Sequence, residues 1–186
     1  NSVILITGGC AGIGEELAKY FHEKGAIVYI CDIKEPNSSL KKFRFIKCDV
    51  SKEEEVNNMI QIIKEEQGRL EIVINNAGIA TAEYLINKGK LHRTEKFEKM
   101  WKVNTLGTFL VCKYASALMV ENVDKHKDCN GVIINMASVA GIDSPSSMVA
   151  YGSAKAGVIG MTLPMARDLK RFKIRVVSVA PGFIDT

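Results

Sequence analysis

Metal and disulfide chemistry are the first classes that this sequence argues against. It has only three histidines, His22, His92 and His126, far apart and with no second ligand type at metal spacing. Its five cysteines, Cys10, Cys31, Cys48, Cys112 and Cys129, show no paired spacing, and most lie in apolar runs. That pattern favours free thiols in a reducing compartment over a disulfide framework or a zinc site. No apolar run approaches the ~20 residues that a bilayer span takes, so no membrane span is expected. Neither sign of charge dominates. The net charge is +4 and the basic residues are scattered; the densest run, KKFRFIK over 41–47, is interleaved with apolar residues. Direct nucleic-acid binding is therefore not expected. No signal-peptide pattern opens the chain, which enters a β-branched run at Val3. Nor does any linker, repeat or low-complexity stretch divide it, so 1–186 reads as one domain with a full core.

What is present is an alternation. Strand-like runs at 3–6, 26–31, 43–48, 70–74, 131–136 and 174–179 alternate with helical patterns over 14–24, 51–67, 95–121 and a last one ending near 170. Gly25 and Gly68 are natural helix stops. Ser51 with Glu54 three residues on forms a capping-box pattern. Pro164 predicts a kink or a local adjustment in the last helix, and the polar segment 81–94 predicts a surface loop. Continuous apolar strands separated by helices indicate an α/β fold, a doubly wound parallel sheet of the Rossmann type with helices on both faces.

Two stretches carry chemistry. The turn after the first strand holds Gly8, Gly12 and Gly14 and opens a helix, a pattern that lets backbone approach a pyrophosphate at a helix N-terminus. Asp32 closes the next strand, where a carboxylate accepts from adenosine ribose hydroxyls and repels a 2′-phosphate. The expected coenzyme is NAD. Asp49 ends the third strand, where it caps a turn or meets the adenine amino group. The fourth ends in Asn75-Asn76-Ala77-Gly78, where Asn75 is placed to pin neighbouring strands. The second stretch runs from Ser138 to Lys155. Tyr151 and Lys155 are four apart and share one helical face. A phenol, with an ordinary pKa of about 10, becomes a usable acid or base when a cation lies one turn away. Ser138 stands where a strand's carboxyl end meets the ligand crevice of such sheets.

Together these residues resemble the short-chain dehydrogenase/reductase family over essentially the whole chain. The matching pieces are Thr7-Gly8-x-x-x-Gly12-x-Gly14, Asp49, Asn75-Asn76-Ala77-Gly78, Asn104, Ser138, Tyr151-x-x-x-Lys155 and Pro181-Gly182-x-x-x-Thr186. The resemblance implies hydride transfer between nicotinamide and a secondary alcohol or ketone. It makes Tyr151 the general acid/base, and has Lys155 lower its pKa and hold the nicotinamide ribose. Ser138 would orient the substrate oxygen and Asn104 sit in a proton relay. It further implies cofactor contacts from Gly8, Gly12, Ile13, Gly14, Asp32, Asp49, Val50, Asn75, Ala77, Gly78, Tyr151, Lys155, Pro181, Gly182, Ile184 and Thr186, with no metal.

Within the family, the segments 84–92 and 160–169 and the loop before Gly131 resemble the type-2 3-hydroxyacyl-CoA dehydrogenase branch. The stretches 45–50 and 181–186 resemble the 15-hydroxyprostaglandin branch. Pro145 stands where the former carries a glutamine. A lipid-like alcohol or ketone is thus the expected substrate, with a non-catalytic NAD-binding scaffold as the alternative class. Family members continue past the Pro-Gly motif with a substrate cover and a further strand, so the expected sheet lacks both. The resemblance also implies that the helices around 101–119 and Tyr151 pair across subunits in a homo-oligomer, a dimer or tetramer, and the expected location is the cytoplasm or mitochondrial matrix. Because Asp32 repels a 2′-phosphate, NADH should bind more tightly than NADPH in a fluorescence titration; the reverse order would refute that assignment.

Overall fold

The computed structural model describes residues 1–124 and 128–185, so His126 and Thr186 lie outside the described residues. Six parallel strands form one sheet: β1 (Val3–Thr7), β2 (Ile27–Asp32), β3 (Arg44–Lys47), β4 (Ile72–Asn75), β7 (Gly131–Met136) and β8 (Ile174–Val179). Their order across the sheet is β3-β2-β1-β4-β7-β8. The chain winds outward from β1 through β2 to β3, then returns to the other side of β1 with β4. That reversal opens a crevice beyond the carboxyl ends of β1 and β4.

Every residue of β1 is buried, as expected for a central strand covered on both faces. On one face, Leu5, Tyr29, Val73 and Ile133 pack with helix α2 (Glu53–Gln67), α4 (Gly107–Glu121) and the end of α5 (Val149–Leu169). On the other, Ile4, Ile6, Val28 and Ile30 pack against α1 (Gly12–Glu23). All five cysteines are free thiols.

Several expectations change. The segment 81–94 is not plain loop: it contains a short antiparallel hairpin, β5 (Ile86–Asn87) and β6 (Lys90–Leu91). Lys88 and Gly89 turn it with φ of 50° and 76°, the two positive angles that a tight hairpin turn needs. The capping box at Ser51 does not form. Asp49 Oδ1 takes both the Ser51 amide and hydroxyl, at 3.0 and 2.7 Å, and α2 begins later with Lys52 as its N-cap. Gly68 does end that helix, with φ of 66°.

The predicted 95–121 helix is continuous, yet it changes pitch: α3 (Thr94–Met100) joins α4 through a π-helical turn, Trp101–Leu106. Taken as one helix, Thr94–Glu121 is long and apolar enough to cross a membrane by length and composition, with a window of mean hydropathy 1.3. More than half of that window is buried here, and α4 is packed against α2 and the sheet. α5 continues through Pro164, where the lost hydrogen bond leaves a Gly160 carbonyl on an exposed face that water can reach.

One buried polar contact ties the two middle strands. Asn75 and Asn135 face each other in register, and Asn75 Nδ2 donates to Asn135 Oδ1 at 2.9 Å. Asn135 Nδ2 reaches Thr162 Oγ1 on α5 at 3.3 Å. Replacing Asn135 by alanine should destabilise the fold by about 1–3 kcal/mol, the cost of stranding buried partners, as read by chemical denaturation; an unchanged midpoint would show that the pair carries no net stability.

Candidate active site

The site begins at the turn between β1 and α1. Gly8 and Gly12 have φ of 64° and 54°, a region that disfavours side chains. A Cβ on Gly14 would lie 2.2 Å from the Gly8 carbonyl oxygen, and one on Gly8 would lie 2.8 Å from Ala77 Cα. The turn is thus pressed against the end of β4, held by Asn76 Nδ2 donating to Gly8 O at 3.0 Å and the Ala77 amide donating to Thr7 Oγ1 at 3.0 Å. No side chain caps the start of α1, whose N-cap is Ala11. Its first amides can therefore receive an anionic group.

From this cradle a cleft of about 470 Å³ runs along the carboxyl ends of β1, β2 and β4, lined by Gly8, Asp32, Asp49, Val50, Ala77 and Gly78. Asp32 is fixed at its edge: Oδ2 accepts from the Cys10 amide at 3.2 Å and Oδ1 from the Lys34 amide at 3.1 Å. A second hollow of about 240 Å³ adjoins it and shares Asn76, Gly78 and Ile79. Its walls are Ile13, Ser138, Tyr151, Lys155, Pro181, Gly182 and Ile184. A glycine cradle, an uncapped helix start and a carboxylate at the far end of one cleft are a donor and acceptor set that fits a dinucleotide.

Tyr151 and Lys155 project from α5 into the second hollow. Lys155 is 5% exposed, and its Nζ lies 5.9 Å from the Tyr151 ring centroid while donating to Met136 O at 2.6 Å. Burial pulls its pKa down from 10.5 to about 8. Ser138 is buried beside them at the end of β7, its Oγ accepting from the Ala140 amide at 3.2 Å. Asn104 stands behind. It sits in the π turn, and its side chain both accepts from the Ile79 amide and donates to the Ile79 carbonyl, each at 2.9 Å. A Cβ on Gly78 would come within 2.8 Å of Asn104 Oδ1 and 3.5 Å of Lys155 Nζ, so glycine backbone passes between the two.

The family model for short chain dehydrogenases matches residues 2–186. The chain belongs to the short-chain dehydrogenase family. It is 39% identical to 3-hydroxyacyl-CoA dehydrogenase type-2 of Drosophila melanogaster, an alignment covering 100% of this chain and 76% of that one. The same enzyme of Homo sapiens is 38% identical over 99% of this chain and 74% of its own. The 3-oxoacyl-[acyl-carrier-protein] reductase FabG of Thermotoga maritima is 34% identical, covering 100% of this chain and 75% of its own.

In this dehydrogenase most of the expected site residues line the two hollows, while Gly12 and Gly14 lie in the turn beside them, Asn104 lies behind, and Asn75 stands apart. The Asn75 side chain does not reach the cleft. It is buried between β4, β7 and α4, against Asn135 and Cys112 Sγ. Asn76, unassigned in the sequence reading, faces the cleft instead. Strand alternation carried the signal, since Asn75 shares the parity of Val73, which packs against the helices. The expected contact from Thr186 lies outside the described residues. Lys99 and Met136 also line the hollows and had no motif to mark them.

A depressed lysine pKa has a signed consequence. Between pH 8 and 10.5 the unfolded chain holds the Lys155 proton and the folded chain does not, so stability rises with pH across that window. The destabilising burial is fully present at neutral pH. Lys155→Met should therefore unfold at higher denaturant than the parent at pH 7, with the gain shrinking as pH climbs from 8 towards 10.5; a gain that does not vary with pH would contradict the burial account.

Proposed function

We propose that this enzyme interconverts a secondary alcohol and a ketone with NAD(H), acting on a 3-hydroxyacyl-CoA or a related lipid or steroid alcohol. The observation that carries this is the convergence of Ser138, Tyr151 and Lys155 on the hollow that continues the glycine cradle. The similarity to 3-hydroxyacyl-CoA dehydrogenases type-2 supports the acyl-CoA class. Asp32 at the end of β2 supports NAD over NADP, because its charge opposes a 2′-phosphate.

Bound in the cleft, the dinucleotide would supply or accept the hydride at the substrate carbon. Everything else falls to the chain. Gly8, Gly12, Gly14 and the first amides of α1 would hold the pyrophosphate, and Asp32 the adenosine ribose. Ser138 would donate its hydroxyl to the substrate oxygen and orient it. In ketone reduction Tyr151 gives that oxygen a proton; in alcohol oxidation it removes one. Positive charge on Lys155 favours the phenolate that each cycle passes through. Asn104 holds the Ile79 backbone that lines the hollow, which fits a place in the relay that restores the proton. Exposed Leu85, Ile86 and Ile142 support an apolar substrate. Exposed Trp101, Leu106, Phe109 and Leu163 support a homo-oligomer built on the 101–119 helix and α5. Free thiols support a reducing location, cytoplasm or mitochondrial matrix.

Loss of NADH absorbance with acetoacetyl-CoA tests this directly. Tyr151→Phe should lower kcat about 10²- to 10⁴-fold, the usual worth of a positioned general acid, with NADH affinity kept. No turnover by either protein, with NADH still bound, would move the assignment to prostaglandin-type alcohols or to a non-catalytic scaffold.

A further inference from the structure

Between Gly78 and α3 the chain leaves the sheet, makes the β5–β6 hairpin and returns. A separate loop, 142–148, leads into α5 and Tyr151. A backbone hydrogen bond from Glu83 joins the two segments. Its amide donates to Ser147 O at 2.7 Å. Its carboxylate accepts from Arg93 Nε at 2.9 Å and from the Arg93 amide at 3.4 Å, with Lys96 Nζ at 3.5 Å and His92 Nε2 at 4.0 Å. The His92 amide, donating to Leu85 O at 2.9 Å, closes the hairpin above it.

Two further features mark this junction as built. Ser147 has φ of 69°, a left-handed conformation that a non-glycine residue adopts at a cost, and it is the residue that presents its carbonyl to Glu83. Partial burial opposes ionisation of Glu83, yet the Arg93 hydrogen bonds outweigh it and hold the carboxyl below its usual range. Between hairpin and loop lies a groove of about 460 Å³, lined by Tyr84, Leu85, Ile86, Pro145 and Val149 together with three serines, Ser144, Ser146 and Ser147. Val149 lies two residues before Tyr151. The lining suits a hydrocarbon chain rather than a charged group.

We propose that Glu83 is a positioning residue that clamps the hairpin to the 142–148 loop, so that the groove between them holds the apolar chain of a substrate reacting at Tyr151. The identity of the reaction rests on the function proposed above; the clamp itself does not.

The test compares the full chain with its Glu83→Gln and Glu83→Asp variants, using NADH with acetoacetyl-CoA and with 3-oxododecanoyl-CoA, and amide hydrogen exchange. Glu83→Gln should raise KM for the long-chain thioester about three- to tenfold while its kcat stays level, the signature of lost binding rather than lost chemistry. Acetoacetyl-CoA kinetics should not move, Glu83→Asp should recover part of the long-chain KM, and the residue-83 and His92 amides should exchange faster in Glu83→Gln. Equal KM shifts for both thioesters, or a fall in kcat, would overturn the assignment. If the parent reduces neither thioester, the functional reading fails separately, and exchange decides the clamp: faster exchange sustains it and unchanged exchange overturns it.

Discussion

The close approach of the glycine turn to the end of β4 is the constraint on which the site depends. With the Gly14 Cβ position 2.2 Å from the Gly8 carbonyl and that of Gly8 2.8 Å from Ala77 Cα, no side chain fits at either place. Omitting them lets the Asn76 amide and the Thr7 hydroxyl join two strands that are distant in sequence. The cleft and the start of α1, whose N-cap is Ala11, both border that contact. A larger residue at either glycine would push the turn away from β4 and open the cradle.

Electrostatics then divides the crevice. At its outer end Asp32 is held in place by two backbone amides. At its inner end Lys155 is buried with the Met136 carbonyl as its hydrogen-bond acceptor, and burial works against its charge. An amine whose pKa is pulled to about 8 can carry charge or release a proton near neutrality. The π turn, with hydrogen bonds that span one residue more than those of an α-helix, carries Asn104, whose side chain pairs with both backbone groups of Ile79.

Much of this was legible in the residue pattern. β7 and β8 are found over the residues that their apolar runs span, because their β-branched valines and isoleucines favour the strand conformation. Where reading and structure part, a local pattern met a competitor. Ser51 looked like a helix cap, but Asp49 reached its hydroxyl first. The hairpin at 86–91 was hidden because two-residue strands are too short to show the alternation that marks longer ones. Asn75 and Asn76 are adjacent and alike in chemistry, and only the pleat decides which one faces the cleft.

Sequence alone determined the order of strands and helices, the glycines that the turn requires and the one-turn spacing of Tyr151 and Lys155. These follow from short-range sterics and periodicity, which act within a few residues. Tertiary structure decided which asparagine points outward, that Lys155 lies buried against Met136 O, and that Glu83 joins two loops 64 residues apart through Ser147. Burial and long-range hydrogen bonds exist only once distant segments have packed, so no stretch of the chain read by itself contains them.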